Sequence, residues 1–165
     1  MLDFALITLQ PREVICSLGI YKNIKKVGDR TLLRFQRGKT RVHIEIECGE
    51  SLMPLIARRR REALRLGTHE MFCRAPYFAK GKVTLKPEYL TRRITKLIVK
   101  SGLYEDNHST LHEVRSLGGR MMEAQGFEKK LIQALMGHLK ESTTDIYLHP
   151  DKPKFTRSRT VLTLD

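Results

Sequence analysis

Along residues 41–47, Val42, Ile44 and Ile46 alternate with Arg41, His43, Glu45 and Glu47. A period of two sends the branched apolar side chains to one face and the charges to the other, the pattern of a half-buried strand. The run RTLLRFQ, residues 30–36, precedes it, and Arg37-Gly38-Lys39 separates the two. The pair predicts an antiparallel β-hairpin with Gly38-Lys39 at its turn. Most of the remaining apolar spacing is helical. Residues 4–18, FALITLQPREVICSL, read as helix interrupted near Pro11, which either starts a helix at its first turn or kinks one. Pro54 to Leu66 predicts a helix stopped at Gly67. Residues 67–86 are mixed and turn-rich. KPEYLTRRITKLIVKSG places Pro87 near a helix start and Gly102 just past its end. A helix capped by Ser109 or Thr110 runs to Gln125, another is closed by Gly137, and STTDIYLH forms a short helix or turn. After Pro150 the tail is basic and ends in TVLTL, which has strand character and is expected to add an edge strand to its own sheet or a partner's. The expected class is α+β, mostly α, with one small antiparallel sheet.

Composition narrows the partner. The 165 residues fit one domain with a real core, and 41% are hydrophobic, which argues against wholesale disorder. Thirty-one Lys and Arg against eighteen Asp and Glu give +13. Such an excess favours a polyanion, since each phosphate contact releases counterions. No apolar run approaches membrane-spanning length, and no basic helix carries a bulky apolar face, so nucleic acid is preferred to a membrane surface. The abrupt apolar start after Met1 suggests a domain cut from a longer protein. Cys16, Cys48 and Cys73 are widely spaced and lack metal-ligand spacing, so they read as free thiols in a reducing cytoplasm. His43, His69, His108 and His149 show no ligand spacing either. The run Arg58 to Arg61 either tracks phosphates or is a solvated helix face.

His112 and Arg115 stand three residues apart on a predicted helix, so both side chains share a face. An arginine fork grips two oxygens of an anion, and a histidine beside it supplies a hydrogen bond or moves a proton. Further along, Leu135-Met136-Gly137-His138 is followed by Ser142-Thr143-Thr144 and, nine residues after the histidine, by Tyr147. Tyr21, Tyr77, Tyr89 and Tyr104 lack such surroundings.

Together, LHEVRSLGGRMMEAQG and LIQALMGHLKESTTDIYLH resemble the signature of the tyrosine recombinases, the phage integrase family, and are most similar to its lambda-type members. The resemblance covers nearly the whole chain and implies a catalytic, C-terminal domain spanning residues 1–165, with N-terminal DNA-binding domains outside it. It implies that Tyr147 attacks a DNA phosphodiester to form a 3′-phosphotyrosyl link, that Arg115, His112 and His138 act on the phosphate oxygens, and that His112 helps accept the tyrosine proton. Lys39 matches the family's hairpin lysine, which protonates the leaving 5′ oxygen; Arg37 is a poorer proton donor because a guanidinium stays charged. No cofactor or metal is implied. The implied partners are double-stranded attachment sites, a homotetramer on DNA and accessory DNA-bending proteins, in the cytoplasm of a bacterial host.

The chain departs from the family at the first arginine. The matching stretch is TLQPREVICSL. Aligned on Thr8 and Cys16, the arginine position is Pro11; aligned on Glu13, it is Gln10. Arg12 is the arginine at hand, displaced by one or two residues, and one residue rotates a helix by about 100°. If Pro11 reshapes the local turn, Arg12 reaches the phosphate as the first-box cation. The alternative is a DNA-binding domain derived from an integrase and catalytically impaired at this point. A type IB topoisomerase is disfavoured by the lambda-type boxes.

Overall fold

A computed structural model of the chain describes residues 1–73, 84–102 and 110–149. Among these, the elements run α1 (Leu2–Thr8), α2 (Arg12–Ser17), β1 (Ile24–Val27), β2 (Arg30–Gln36), β3 (His43–Glu47), α3 (Met53–Arg65), α4 (Pro87–Ser101), α5 (Leu111–Ala124), α6 (Lys129–Met136) and α7 (Glu141–Leu148). The α+β, mostly helical expectation holds. The tail read as TVLTL, with the cap candidate Ser109, lies outside the described residues.

Pro11 starts a second helix rather than kinking one. Leu9 enters the left-handed region at φ 55° and closes α1, its N–H donating to Ala5 O at 2.9 Å. Pro11 then stands extended as the N-cap of α2. Proline suits this place because its ring fixes φ and the start of a helix needs no further N–H. The result is a sharp corner at Leu9-Gln10-Pro11 in the middle of the first box.

The hairpin forms as expected, with Leu33 opposite Ile46 and Phe35 opposite Ile44. The structure adds a strand that the apolar pattern does not show: β1 pairs antiparallel with β2 on its other side, giving the order β1-β2-β3. Its sequence, IKKV, has no alternation, and only Ile24 is half-buried. Local and tertiary hydrogen bonds hold it instead. Gly28 takes φ 57° in the two-residue turn to β2, where a positive φ favours glycine. Buried Asn23 accepts from Gly19 N at 2.8 Å through Oδ1 and donates to Arg34 O at 2.7 Å.

The main core joins α1, α2, the sheet, α3 and α4, with Phe4 meeting Phe72 edge to face at 5.2 Å. Such a pair contributes about 1 kcal/mol beyond its burial. Arg59 of the basic run lies over Phe72 at 5.7 Å and pairs with Glu62 at 2.7 Å, and Arg60 lies over Tyr21 at 6.0 Å, so this part of the run covers aromatic surface. Cys16 and Cys48 are buried and Cys73 half-buried, all three as thiols. A second, smaller core of Leu9, Ile132, Met136 and Leu148 knits α5, α6 and α7 together, with Tyr147 packed against it.

The pair Gly118-Gly119 makes that arrangement possible. A Cβ at Gly118 would stand 2.3 Å from Leu6 O, so only glycine lets α1 cross α5 there. A Cβ at Gly119 would meet Met136 Cε at 2.6 Å and Leu148 Cδ2 at 3.1 Å. One glycine seats α1 and the other seats α6 and α7. Among the described residues, no helix is long and apolar enough to cross a membrane.

Candidate active site

Three local devices aim the side chains of this site. Thr110 caps α5 in a capping box: its hydroxyl accepts from the His112 N–H at 3.1 Å, and the Glu113 carboxylate accepts from Thr110 N–H at 2.6 Å. Such caps are worth about 1 kcal/mol and fix where the helix begins, hence which way His112 and Arg115 face. Gly137, left-handed at φ 62°, ends α6 and turns His138 back toward α5. Across α7, Lys129 pairs with Glu141 at 2.9 Å and with Asp145, tying the two short helices.

Four expected residues converge. The Tyr147 hydroxyl lies 2.6 Å from His112 Nε2, and their rings stand 4.7 Å apart. In the tautomer that carries its proton on Nδ1, His112 accepts from the tyrosine. The His138 ring lies 4.9 Å from the Tyr147 ring, and the Arg115 guanidinium carbon sits 5.1 Å from that ring's centre. Arg115 is 3% exposed. Its Nη2 donates to Met136 O at 2.5 Å and to His138 Nε2 at 3.1 Å. That second contact fixes the histidine tautomer, because a guanidinium only donates. His138 Nε2 therefore accepts, and Nδ1–H donates to the buried Thr144 hydroxyl at 3.1 Å. Ser116 donates to the Tyr147 carbonyl, which pins α7 at the tyrosine itself.

The electrostatics follow from this packing. Burial, with Arg115 and Arg37 nearby, pulls the His138 pKa from 6.5 down to about 4, so its imidazole is neutral at physiological pH. Burial, then the Arg37 charge, lowers the Arg115 guanidinium to about 10. Burial lowers Arg37 as well. Arg115 Nε is buried without a partner. A group that strongly donates, is short of acceptors and is held beside another cation is suited to an incoming anion.

The other two expected residues are placed less tightly. Arg12 lines the same cleft of about 390 Å³ as His112 and Arg115. Its guanidinium is nevertheless turned to Glu13 at 2.8 Å and to Thr91 Oγ1 at 2.6 Å. Lys39 is exposed on the turn between β2 and β3. Gln10 is fully buried, and its amide donates to Thr8 O at 2.6 Å and Leu135 O at 2.7 Å. His149 faces Glu123 at 3.6 Å. Among the described residues, no group of three His, Cys, Asp or Glu could hold a metal ion.

Two participants escape the sequence reading. Thr144 sits within the noted Ser-Thr-Thr run, but its role in orienting His138 depends on a contact six residues back. The sequence suggests Arg37 only as a poor proton donor, yet its Nη1 donates to Met136 O beside Arg115. Its position two residues before the hairpin lysine was the available signal.

The sequence profile of the phage integrase family matches residues 1–154. The chain is 27% identical over 124 residues to a tyrosine recombinase of Thermosipho africanus (strain TCF52B), covering 74% of this chain and 40% of that protein. The chain thus spans about 40% of the length of this curated relative. In structure it is similar to a lambda integrase tetramer bound to a Holliday junction, with a TM-score of 0.71 and 22% identity over 96% of this chain and 44% of that one. The XerA recombinase gives a TM-score of 0.66 and 19% identity over 88% of this chain and 50% of that one.

Proposed function

The chain belongs to the phage integrase family, and from that premise we propose that it is the strand-cleaving domain of a site-specific DNA recombinase. The observation that carries this reading is the convergence of the Tyr147 hydroxyl on His112, 2.6 Å away, beside the buried Arg115. The site offers a nucleophile, a base in contact with it and a fixed cation.

The chemistry proceeds as a phosphoryl exchange. Tyr147 Oη attacks the scissile phosphorus while its proton passes to His112 Nε2. The P–O bond to the 5′ carbon's oxygen breaks as the P–O bond to tyrosine forms, leaving a 3′-phosphotyrosyl link. Lys39, at the hairpin tip, gives its proton to the departing 5′ oxygen. Arg115 offsets the charge that builds on the non-bridging oxygens. Neutral His138, held by Thr144, keeps the Arg115 fork in place and presents no competing charge. Arg12 lines the wall of the same cleft, with its guanidinium paired to Glu13 and Thr91. Because one phosphoester replaces another, rejoining by a 5′ hydroxyl needs no external energy.

Double-stranded DNA is the proposed substrate, with the +13 charge supplying phosphate contacts. The proposed assembly for strand exchange is four protomers on two duplexes. A lambda integrase tetramer on a Holliday junction is among the similar structures.

The test is a duplex nicked next to the cleavage site, so that the short leaving strand diffuses away and traps the covalent protein–DNA adduct. Wild-type protein is expected to form the adduct. Tyr147→Phe is expected to lower its yield at least about 10⁴-fold, as loss of a nucleophile does, while DNA affinity stays within a few fold. Adduct persisting in the Phe variant would assign the attack to another residue. Binding without any adduct from the wild-type chain would instead support the impaired DNA-binding domain.

A further inference from the structure

The first box brings no free cation to the phosphate site. Gln10 is neutral, fully buried and tied by its amide to two main-chain carbonyls. Arg12 reaches the cleft wall, but its guanidinium already has a carboxylate partner in Glu13 and a hydroxyl partner in Thr91. Arg115 would be left to hold the two non-bridging oxygens alone.

Arg37 is placed differently. It follows β2 directly, and its backbone closes the hairpin by donating to Val42 O at 2.9 Å. Its side chain crosses to the far end of α6. There Nη1 donates to Met136 O, the carbonyl that also accepts from Arg115 Nη2. Cγ and Nη1 of Arg37 each lie 3.3 Å from where a Cβ on Gly137 would stand, so the side chain is seated against the residue before His138. Two guanidinium groups thus share one neutral oxygen. Among the described residues, neither has a carboxylate within ion-pair distance; Glu13, whose field reaches both, is occupied with Arg12. Like charges gathered on one carbonyl are poorly compensated, and Arg115 Nε beside them is buried and unpaired. An oxyanion with several acceptor oxygens supplies the negative charge that a single shared carbonyl lacks.

We propose that Arg37, carried by the β2–β3 connection, is the second guanidinium of the phosphate site, clamping the scissile phosphate with Arg115 in place of the cation missing from the Thr8–Glu13 box. The inference rests on reading the site as one for strand cleavage, though its anion-binding part can be measured apart from cleavage. It makes the hairpin a double tool: Arg37 grips the phosphate and Lys39, two residues on, serves the leaving oxygen.

The experiment uses the full chain with inorganic phosphate as the probe, titrated while the His138 ring resonances are followed by NMR. Arg37→Gln, Arg37→Lys and Arg12→Gln are compared with the wild type, and thermal unfolding checks that each is folded. Loss of a charged hydrogen-bond donor predicts a phosphate affinity weaker by about 10- to 100-fold in Arg37→Gln. Arg37→Lys is expected to recover part of it, and Arg12→Gln to lose less than Arg37→Gln. The adduct assay on the nicked duplex is expected to rank the variants in the same order. Equal phosphate affinity in Arg37→Gln and wild type, a larger loss in Arg12→Gln, or no phosphate binding by the wild type would each overturn the assignment. Phosphate binding that depends on Arg37 in a wild-type chain that forms no adduct would uphold it while removing the cleavage reading. Wild-type adduct formed equally fast by Arg37→Gln would do the reverse.

Discussion

Residues 110–149 and the β2–β3 turn, both assigned to the proposed site, are built in opposite ways. In the helical unit, Tyr147, His112, His138 and Arg115 touch one another or share partners, and each backbone position is fixed by a cap, a glycine contact or an ion pair. On the turn, Lys39 is exposed and Gly38 has nothing within 4 Å of its Cβ position. The difference separates two demands. Attack on phosphorus needs the nucleophile, base and cation held to a fraction of an ångström before DNA arrives. On the proposed reading, the proton donor to the leaving strand is held by an exposed turn instead. The turn is nonetheless anchored through Arg37 on Met136 O, so the hairpin is fastened to the helical unit beside Arg115.

The largest expected effect would break the two regions apart functionally. Lys39→Ala should slow adduct formation by about 10²- to 10⁴-fold, the usual range for a general acid. Its stability to urea should change by no more than about 0.5 kcal/mol, as for an exposed surface position. A leaving group that needs no proton, with sulfur in place of the 5′ oxygen, should restore the rate. If the substitution lowered stability instead, the turn would be part of the packed framework and the contrast would fail.

Glycines give the structural counterpart. Gly118→Leu forces a side chain into Leu6 O and Leu9, and should destabilise the fold by about 3 kcal/mol, the upper end for overpacking. Gly38→Ala, in open space and without a positive φ, should shift stability by less than about 1 kcal/mol. Urea midpoints of the two variants measure this directly. Similar losses at both positions would show the turn to be as constrained as the α1–α5 crossing.

The smallest effect sharpens the picture of the locked unit through pH. Folded His138 resists protonation until about pH 4, whereas in the unfolded chain it protonates near 6.5. The unfolded state therefore binds more protons across that interval, and stability falls as pH drops from 6.5 toward 4. Below that window the contribution stops growing. His138→Gln removes it, so the difference in urea midpoint between pH 7 and pH 4.5 should be smaller in the variant. An unchanged difference would mean that His138 is not held neutral between Arg115 and Thr144.

The sequence by itself determined the helices, the β2–β3 hairpin and which four residues, Tyr147, His112, His138 and Arg115, gather on the helical unit. Thr110, Gly102, Gly137 and Pro87 act on neighbours within a turn or two, so their effects can be read in one dimension. His112 and Arg115 are legible for the same reason: three residues on a helix always share a face. The strand β1 was not legible, because IKKV carries no alternation and is held by Asn23 and by its pairing with β2. Thr144 was recognised only as part of a run. The first box shows the limit most clearly. Sequence could count Gln10, Pro11 and Arg12 and ask which stands in for an arginine, but a corner at Leu9 sends Gln10 into the core and Arg12 toward Glu13 and Thr91. The guanidinium that meets Arg115 comes from Arg37, 99 residues from Met136 along the chain. Only the folded chain decides that, because a long side chain's target depends on which distant backbone packs beneath it.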